Sequence, residues 1–236
     1  MKPVRILLTA LVLLSGNAHA RPELAELSIF DRTEGRRLQV HWHEGRAYVV
    51  GKPGNEYRIA VRNRLREDLL AVVSVDGVNV VTGQTADPSQ SGYVISAHGR
   101  LDIQGWRRSL QQTAAFYFTS LPDSYAARTG RPDDVGVIGI ALFRKRHAPP
   151  PAPIGRAEPL AKDRAAEAKI GTGHGRYESS PAHYVDFERA SSTPAQVITL
   201  YYDSRANLVA KGILRDAVPV APHPRPFPGF VPDPSG

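Results

Sequence analysis

The hydrophobic pattern is clearest in residues 69–83 (LLAVVSVDGVNVVTG), where two valine-rich runs flank Asp76-Gly77. Asp-Gly between apolar runs strongly favours a two-residue hairpin turn. The pairs predicted on one face of that hairpin are Val75 with Val78, Val73 with Val80, and Ala71 with Thr82. The opposite face is also mostly apolar. The sequence therefore predicts a hairpin inside a sheet that is covered on both faces, or nearly so.

Residues 38–50 form a second alternating pattern around Glu44-Gly45. The side chains predicted to point inward from this hairpin are Val40, Trp42, Ala47 and Val49. The side chains predicted on its other face are His41, His43, Arg46 and Tyr48. This alternation is typical of an antiparallel pair with one solvent-facing side.

Further short strands are predicted at 56–63, 92–96, 100–106, 113–119 and 135–144. Between 121 and 132 we expect a loop that carries one helical turn, capped by Asp123 or Ser124 and ended by Gly130. About nine strands in ~110 residues, with no long helix among them, indicate an all-β fold, an antiparallel β-sandwich.

The C-terminal third has a different composition. Residues 147–157 (HAPPPAPIGRA) are predicted to be a proline-rich linker between a sandwich domain, 21–146, and a small α+β appendage, 158–216, packed on the sandwich. The elements predicted in the appendage are a helix at 159–170, ended by Gly171, and strands at 184–188, 197–202 and 208–214. The sequence leaves open whether this block extends a sheet. Residues 217–236 are predicted to be a disordered proline-rich tail.

The first 20 residues have the features of an export signal. Lys2 and Arg5 precede an apolar run at 6–14, and Ala18-His19-Ala20 is a small-x-small cleavage site. The apolar run is too short for a membrane helix, so we expect no transmembrane segment in the mature chain and a periplasmic or secreted location. The chain has no cysteine, so its stability must come from a packed core rather than from disulfides.

Several phrases resemble those of a family of exported bacterial proteins to which no function is assigned. They are VSVDGVNVVTG, SGYVI, IQGWRRS, SYAARTGRP, GVIGIALF, GTGHGRYE, FERAS and YYDSRANLVAKGI. The likeness runs from about residue 46 to residue 214, and it implies that the linker and the C-terminal block belong to one unit. It implies no activity, ligand or catalytic residue.

Two segments are candidate binding sites. The first is a predicted loop, Gly171-Thr172-Gly173-His174-Gly175, because successive backbone N–H groups of glycine-rich loops can bind anions. Phosphate-binding loops precede a helix, however, whereas this one follows a predicted helix, so a structural joint is the alternative. The second segment is Trp106-Arg107-Arg108, because an aromatic ring beside arginines suits sugar rings or anionic polymers. Trp106 alone is also explained as a core residue.

The sequence offers little for catalysis or metal binding. His41 and His43 share a strand face, a spacing that metals use, but no third ligand can be placed beside them and Arg46 falls on the same face. We therefore expect no metal site and no cofactor. The residues that could do acid–base chemistry are His174, His183, Asp186 and Glu188. There is no G-x-S-x-G motif for a serine nucleophile.

These features favour an exported, non-enzymatic binding or structural module of the bacterial cell envelope. The net charge of +7 is explained by solubility alone, and its alternative explanation is binding to the polyanions that an exported protein meets rather than to nucleic acid. The expected partner is an envelope protein held at a sheet edge, or an anionic glycan. The arginines expected to meet a glycan are Arg58, Arg62, Arg64, Arg66, Arg107 and Arg108. An assembly subunit of a surface structure fits equally. The alternative function is a metal-dependent or acid–base hydrolase that uses the 171–175 loop and the nearby histidines and acids.

Overall fold

A computed structural model describes residues 23–146 and 170–215. Its strands are β1 (Ala25–Asp31), β2 (Arg36–Arg37), β3 (His41–His43), β4 (Arg46–Val50), β5 (Glu56–Asn63), β6 (Leu69–Val75), β7 (Val78–Asn79), β8 (Tyr93–Ile95), β9 (Arg100–Ile103), β10 (Gly105–Arg107), β11 (Gln112–Ser120), β12 (Val137–Arg144), β13 (Ile170–Ser179) and β14 (Gln196–Asp203). The helical elements are a 3-10 turn (Leu121–Asp123), α1 (Tyr125–Arg128) and α2 (Arg205–Ala210).

The strands form two sheets, which confirms the predicted all-β, sandwich-like fold. The first sheet has the order β10-β11-β5-β1-β2, with β13 paired to β11 and β9 paired to β5. The second has the order β3-β4-β14-β12-β6-β7, with β8 paired to β6. All pairings are antiparallel except that of β4 with β14. One hydrophobic core lies between the sheets.

The Asp76-Gly77 hairpin is confirmed at its turn but is shorter than predicted. Val75 pairs with Val78, whereas Ala71 pairs with Tyr93 of β8 rather than with Thr82. The cause is Asn79, whose Oδ1 accepts the backbone N–H groups of Val81 at 2.8 Å and of Thr82 at 3.3 Å. This local turn redirects the chain after two residues of β7, so β8 takes the vacated place beside β6.

Both faces of the hairpin are covered, as its sequence predicts. One face lies in the main core. On the other face a small cluster contains Leu70, Val72, Ala141 and Phe143, with Phe187 packed against it. The guanidinium of Arg189 lies 4.1 Å from the Phe143 ring centroid. The second cover therefore comes from the segment between β13 and β14, not from a third sheet.

The predicted hairpin at 38–50 also forms, but the prediction that all four of its apolar side chains point inward is wrong for one of them. His43 pairs with Arg46, and Ala47 and Val49 are buried as expected. Trp42 is 70% exposed. It lies next to the Glu44-Gly45 turn on β3, which is an edge strand among the described residues, and alternation alone overestimates its burial.

The single helical turn predicted between 121 and 132 is confirmed. Ser124 caps α1, because its Oγ accepts the N–H of Ala127 at 3.1 Å. Gly130 then adopts a positive φ of 78° and ends the turn.

The described C-terminal residues supply strands to both sheets. β13 pairs with β11 along its length, and β14 lies between β12 and β4. A helix is predicted at 159–170, and residues 159–169 lie outside the described residues. The prediction is wrong for Ile170, which begins β13 and pairs with Ser120.

Two predicted C-terminal strands are wrong. Residues 184–188 belong to no strand, and the backbone contact at their end is the hydrogen bond from the Arg146 N–H to the Glu188 carbonyl at 2.8 Å. Residues 208–210 belong to α2, not to a strand at 208–214. Ser204 caps this helix by accepting the N–H of Asn207 at 3.1 Å, and a cap of this kind stabilises a first helical turn that an apolar run alone would not specify.

The predicted signal at 1–20, the linker at 147–157 and the tail at 217–236 lie outside the described residues. Within the described ranges, no helix combines the length and the apolarity needed to cross a bilayer.

A buried carboxylate joins the hairpin turn to the C-terminal strands. Asp76 accepts the backbone N–H of Gly136 at 2.9 Å, the backbone N–H of Thr172 at 2.7 Å and the hydroxyl of Tyr202 at 2.5 Å. The Thr172 hydroxyl in turn hydrogen-bonds with Tyr202 and, at 2.5 Å, with Tyr57. The turn alone explains an aspartate at this position, but it does not explain this network, which ties both sheets together.

Asp76 predicts a pH-dependent stability. Burial raises its pKa to about 6, although hydrogen bonds from Tyr202, Thr172 and Gly136 oppose the shift. The folded protein therefore binds this proton more tightly than the unfolded chain. The stabilisation is fully present below about pH 4 and is lost as the pH rises through 6. We expect this group to lower the free energy of unfolding by about 3 kcal/mol between pH 4 and pH 7.

Urea unfolding across this pH range would measure the loss. The control is Asp76→Asn, which has no proton to release, so the difference in stability between wild type and variant should shrink with rising pH. A difference independent of pH would contradict the prediction.

Candidate functional site

The two candidate segments predicted from sequence lie beside each other. β11 pairs with β10 on one side and with β13 on the other, so Trp106 and Tyr177 are both opposite Ala114. The indole N–H of Trp106 donates to the Gly173 carbonyl at 3.2 Å. The fold therefore brings the Trp106–Arg108 segment and the 171–175 segment into one region.

The interpretation of residues 171–175 as a loop is wrong, because all five lie in β13. Their glycines allow close packing. A Cβ on Gly171 would lie 2.5 Å from Ser124 Cβ, and one on Gly173 would lie 2.1 Å from the Tyr117 ring. A Cβ on Gly175 would lie 2.7 Å from the Ala115 carbonyl oxygen. The backbone pairs in a sheet, so the segment is not an anion-binding loop.

Trp106 is a core residue. It is buried, and its ring makes an edge contact with Phe116 at 5.2 Å between centroids. Its other neighbour is Tyr125 of α1, at 4.8 Å. Of the two interpretations of this residue, the structure supports the core one.

A row of rings continues from this core to the surface. Tyr125 stacks on His174 at 5.6 Å between centroids, and His174 makes an edge contact with Tyr177 at 5.9 Å. Thr172 of the same strand is fully buried, His174 is half-buried and Tyr177 is 60% exposed. β13 thus passes out of the covered part of the sandwich and presents its last ring to solvent.

Two arginines add positive charge to this row. Arg108 lies 5.9 Å from the Tyr177 ring centroid, and both Arg108 and Arg128 are exposed. Burial lowers the pKa of His174, and the charges of Arg108 and Arg128 lower it further, against a backbone hydrogen bond that raises it. We call this region the aromatic–cationic surface; its residues are Tyr125, His174, Tyr177, Arg108 and Arg128.

Arg107 has a structural role. Its guanidinium donates to the Ser180 carbonyl at 2.5 Å and to the Tyr93 hydroxyl at 3.2 Å. Its hydrogen bonds therefore fix the start of the segment after β13. Its predicted role as a partner of Arg108 in binding stays a prediction, and both arginines line the same groove.

The other arginines predicted to meet a glycan fall into two groups, those that contact other side chains and those that are exposed. Arg64 pairs with Glu23 and Glu26, and Arg58 lies over the Phe30 ring. Arg62 and Arg66 are exposed. Four more charged side chains on the first sheet pair with each other, and they are Arg32, Glu56, Arg176 and Glu178. Most arginines near the first sheet are thus already neutralised.

The proposed acid–base group is not assembled. His174 contacts aromatic rings, while His183 and Asp186 lie exposed in the segment after β13 and Glu188 pairs with Arg146. In 23–146 and 170–215, no three His, Cys, Asp or Glu side chains form a group that could hold a metal ion. His41 and His43 share a face of β3, and the nearest acid to His43 is the exposed Glu44, at 3.9 Å.

Sequence reasoning missed Tyr125, Tyr177 and Arg128. Tyr125 and Arg128 were assigned only to a helical turn, and Tyr177 was given no role. The available signal was the alternation of small residues with Thr172 and His174, which is that of a strand packed tightly on one side. Read as a strand, that segment would have extended to Tyr177.

Comparison of the chain with protein-family models, with curated proteins and with solved structures found no match.

Proposed function

We propose that the protein is an exported, non-enzymatic binding module of the cell envelope and that it binds an anionic glycan at the aromatic–cationic surface. One observation carries this proposal: the exposed Tyr177 ring lies next to the exposed Arg108, and it contacts His174, whose pKa the charges of Arg108 and Arg128 lower. Export and envelope location rest on the pattern of residues 1–20.

The chemistry of this surface suits an acidic sugar polymer. The face of Tyr177 can stack on the C–H face of a sugar ring, while Arg108 and Arg128 can pair with carboxylates or phosphates of the same chain. His174 makes an edge contact with the Tyr177 ring, and burial lowers the pKa of this histidine. An apolar ring supplies contact area and the arginines supply the preference for anionic polymers.

Alanine at Tyr177 or Arg108 should weaken binding to polygalacturonate, an acidic sugar polymer, by about tenfold each, or about 1.4 kcal/mol. Titration calorimetry in low salt would measure the loss. Binding should also fall as ionic strength rises, because the arginines are exposed.

The hairpin of β3 and β4 provides a matched control. Trp42→Ala and Arg46→Ala remove an exposed aromatic ring and an exposed arginine from another part of the chain. Both variants should bind as the wild type does. Equal losses in both pairs of variants, or equal binding of a neutral glucan, would overturn the proposal.

A further inference from the structure

A groove of about 730 Å³ lies along one side of the sandwich. Its walls include β8 from the second sheet and β9 from the first, with Leu110 and Arg108 nearby in the lining. Residues 181–185 and Phe187 also line it. We call residues 181–187 the strap.

The strap is held at both ends. At its start, the Ala182 N–H donates to the Leu110 carbonyl at 2.7 Å, beside the Arg107–Ser180 hydrogen bond. After its end, the Ala190 N–H donates to the Arg144 carbonyl, and Arg189 donates to three carbonyls of residues 88–90. The strap therefore crosses from the loop before β11 to the end of β12.

The middle of the strap has little to hold it. Among the described residues, 183–186 form no hydrogen bond or ion pair. Tyr184 is 88% exposed and Val185 is 52% exposed. A span of this kind, with fixed ends and an unbonded middle, can be displaced at small cost in free energy.

Two of the strands that line the groove are paired on one side only among the described residues. β8 has one strand neighbour, β6, and β9 has one, β5. Within the described ranges these two strands do not pair with each other. An unpaired strand edge presents backbone donors and acceptors that an added strand can use.

The groove also contains an unsatisfied polar group. Thr113 lines it, is 1% exposed, and its hydroxyl has no hydrogen-bond partner among the described residues. A buried hydroxyl without a hydrogen-bond partner is unfavourable, because it has given up its bonds to water. A bound polar group could satisfy it.

The charges of the lining favour an acidic occupant. Arg107 and Arg189 are held by carbonyl oxygens, and Asp102 is paired with Arg100. Arg108 is the cation of the lining that has neither a carboxylate nor a side-chain hydrogen bond within the described structure. A carboxylate entering the groove would therefore find a cation beside it.

We propose that this groove binds an extended polypeptide segment of a partner protein, which adds as a strand to the edge of β8 or β9 beneath the strap and places an acidic side chain at Arg108. The alternating apolar side chains of such a segment match the mixture of apolar and polar residues in the lining. The site is separate from the glycan proposal except for Arg108, which borders both.

The test is selection of short random peptides, displayed on phage, on the full chain. Enriched peptides should alternate apolar and polar residues, contain an acid and lack internal proline. A selected peptide should slow hydrogen exchange in residues 93–95 or 100–103. Proline at its centre should weaken binding at least tenfold, because it removes a ladder hydrogen bond.

Variants separate this site from the glycan surface. Arg108→Ala should weaken binding of the selected peptide, whereas Tyr177→Ala should leave it unchanged, although it weakens binding of polygalacturonate. Because the chain lacks cysteine, a fluorophore can be attached at one position in the Val185→Cys variant. Its signal should report displacement of the strap by the selected peptide and should not respond to polygalacturonate.

Four results would overturn the proposal. These are no enrichment, protection from exchange elsewhere in the chain, a proline peptide that binds equally well, and enriched peptides without acids. Dimers that protect the same strands would assign the groove to a second copy. Peptide binding seen only after removal of residues 216–236 would assign it to the chain's own C-terminal segment.

Discussion

Replacing Asp76 with alanine should lower the free energy of unfolding by about 4 kcal/mol at pH 4. The substitution leaves the buried backbone N–H groups of Gly136 and Thr172 without an acceptor, and it leaves the Tyr202 hydroxyl with the Thr172 hydroxyl as its remaining partner. Each such group costs about 1–3 kcal/mol, and neighbouring losses are not fully additive. Acid pH is the proper condition, because at pH 7 the wild type itself is destabilised by the ionised form.

Glu44→Ala is the matched control for this prediction. Glu44 also occupies the first position of a two-residue turn with positive φ, 47° against 51° for Asp76, but its side chain is exposed. Both alanines meet the same backbone strain, so the difference isolates the buried network. We expect Glu44→Ala to cost no more than about 1 kcal/mol. Urea unfolding of both variants would measure the two losses in free energy of unfolding. Equal losses would show that Asp76 stabilises only the turn.

Gly105→Ala should destabilise the fold by about 3 kcal/mol or prevent folding altogether. A Cβ at this position would lie 2.0 Å from the backbone oxygen of Ala114 and 2.5 Å from its carbonyl carbon. These atoms belong to β11, which β10 and β13 flank, so the clash cannot be relieved by rotating a side chain. Overpacking of this severity lies at the upper end of measured costs.

Gly139→Ala controls for the loss of a strand glycine. Its Cβ would lie 2.8 Å from the Ser74 hydroxyl, a side-chain atom that can rotate away. We expect Gly139→Ala to lower the free energy of unfolding by less than about 1 kcal/mol. Thermal unfolding of this variant and of Gly105→Ala would measure both losses. Comparable losses at both positions would contradict the steric explanation.

The two proposed sites share one border. Arg108 contacts the Tyr177 ring and also lines the groove beneath the strap. Variants at Tyr177 and Val185 therefore matter more than variants at Arg108 for telling glycan from polypeptide binding. Failure of one site leaves the other open to its own test.

The sequence by itself determined the β-sandwich class, most strands of the first 144 residues and the turn at Asp76-Gly77. These features are local: alternation fixes which side chains share a face, and Asp-Gly tolerates the positive φ of the tight turn. The capped helical turn at 125–128 follows from the same local chemistry.

Tertiary structure alone decided what lies beside those elements. Residues 171–175 form a strand because they pair with β11, where their glycines meet close neighbours, and Trp42 on the edge strand β3 is 70% exposed. The convergence of Trp106, His174, Tyr177 and Arg108 depends on the pairing of β10, β11 and β13, which are distant in sequence. Local propensity carries no information about such long-range pairings, so the candidate sites could be seen only in the folded chain.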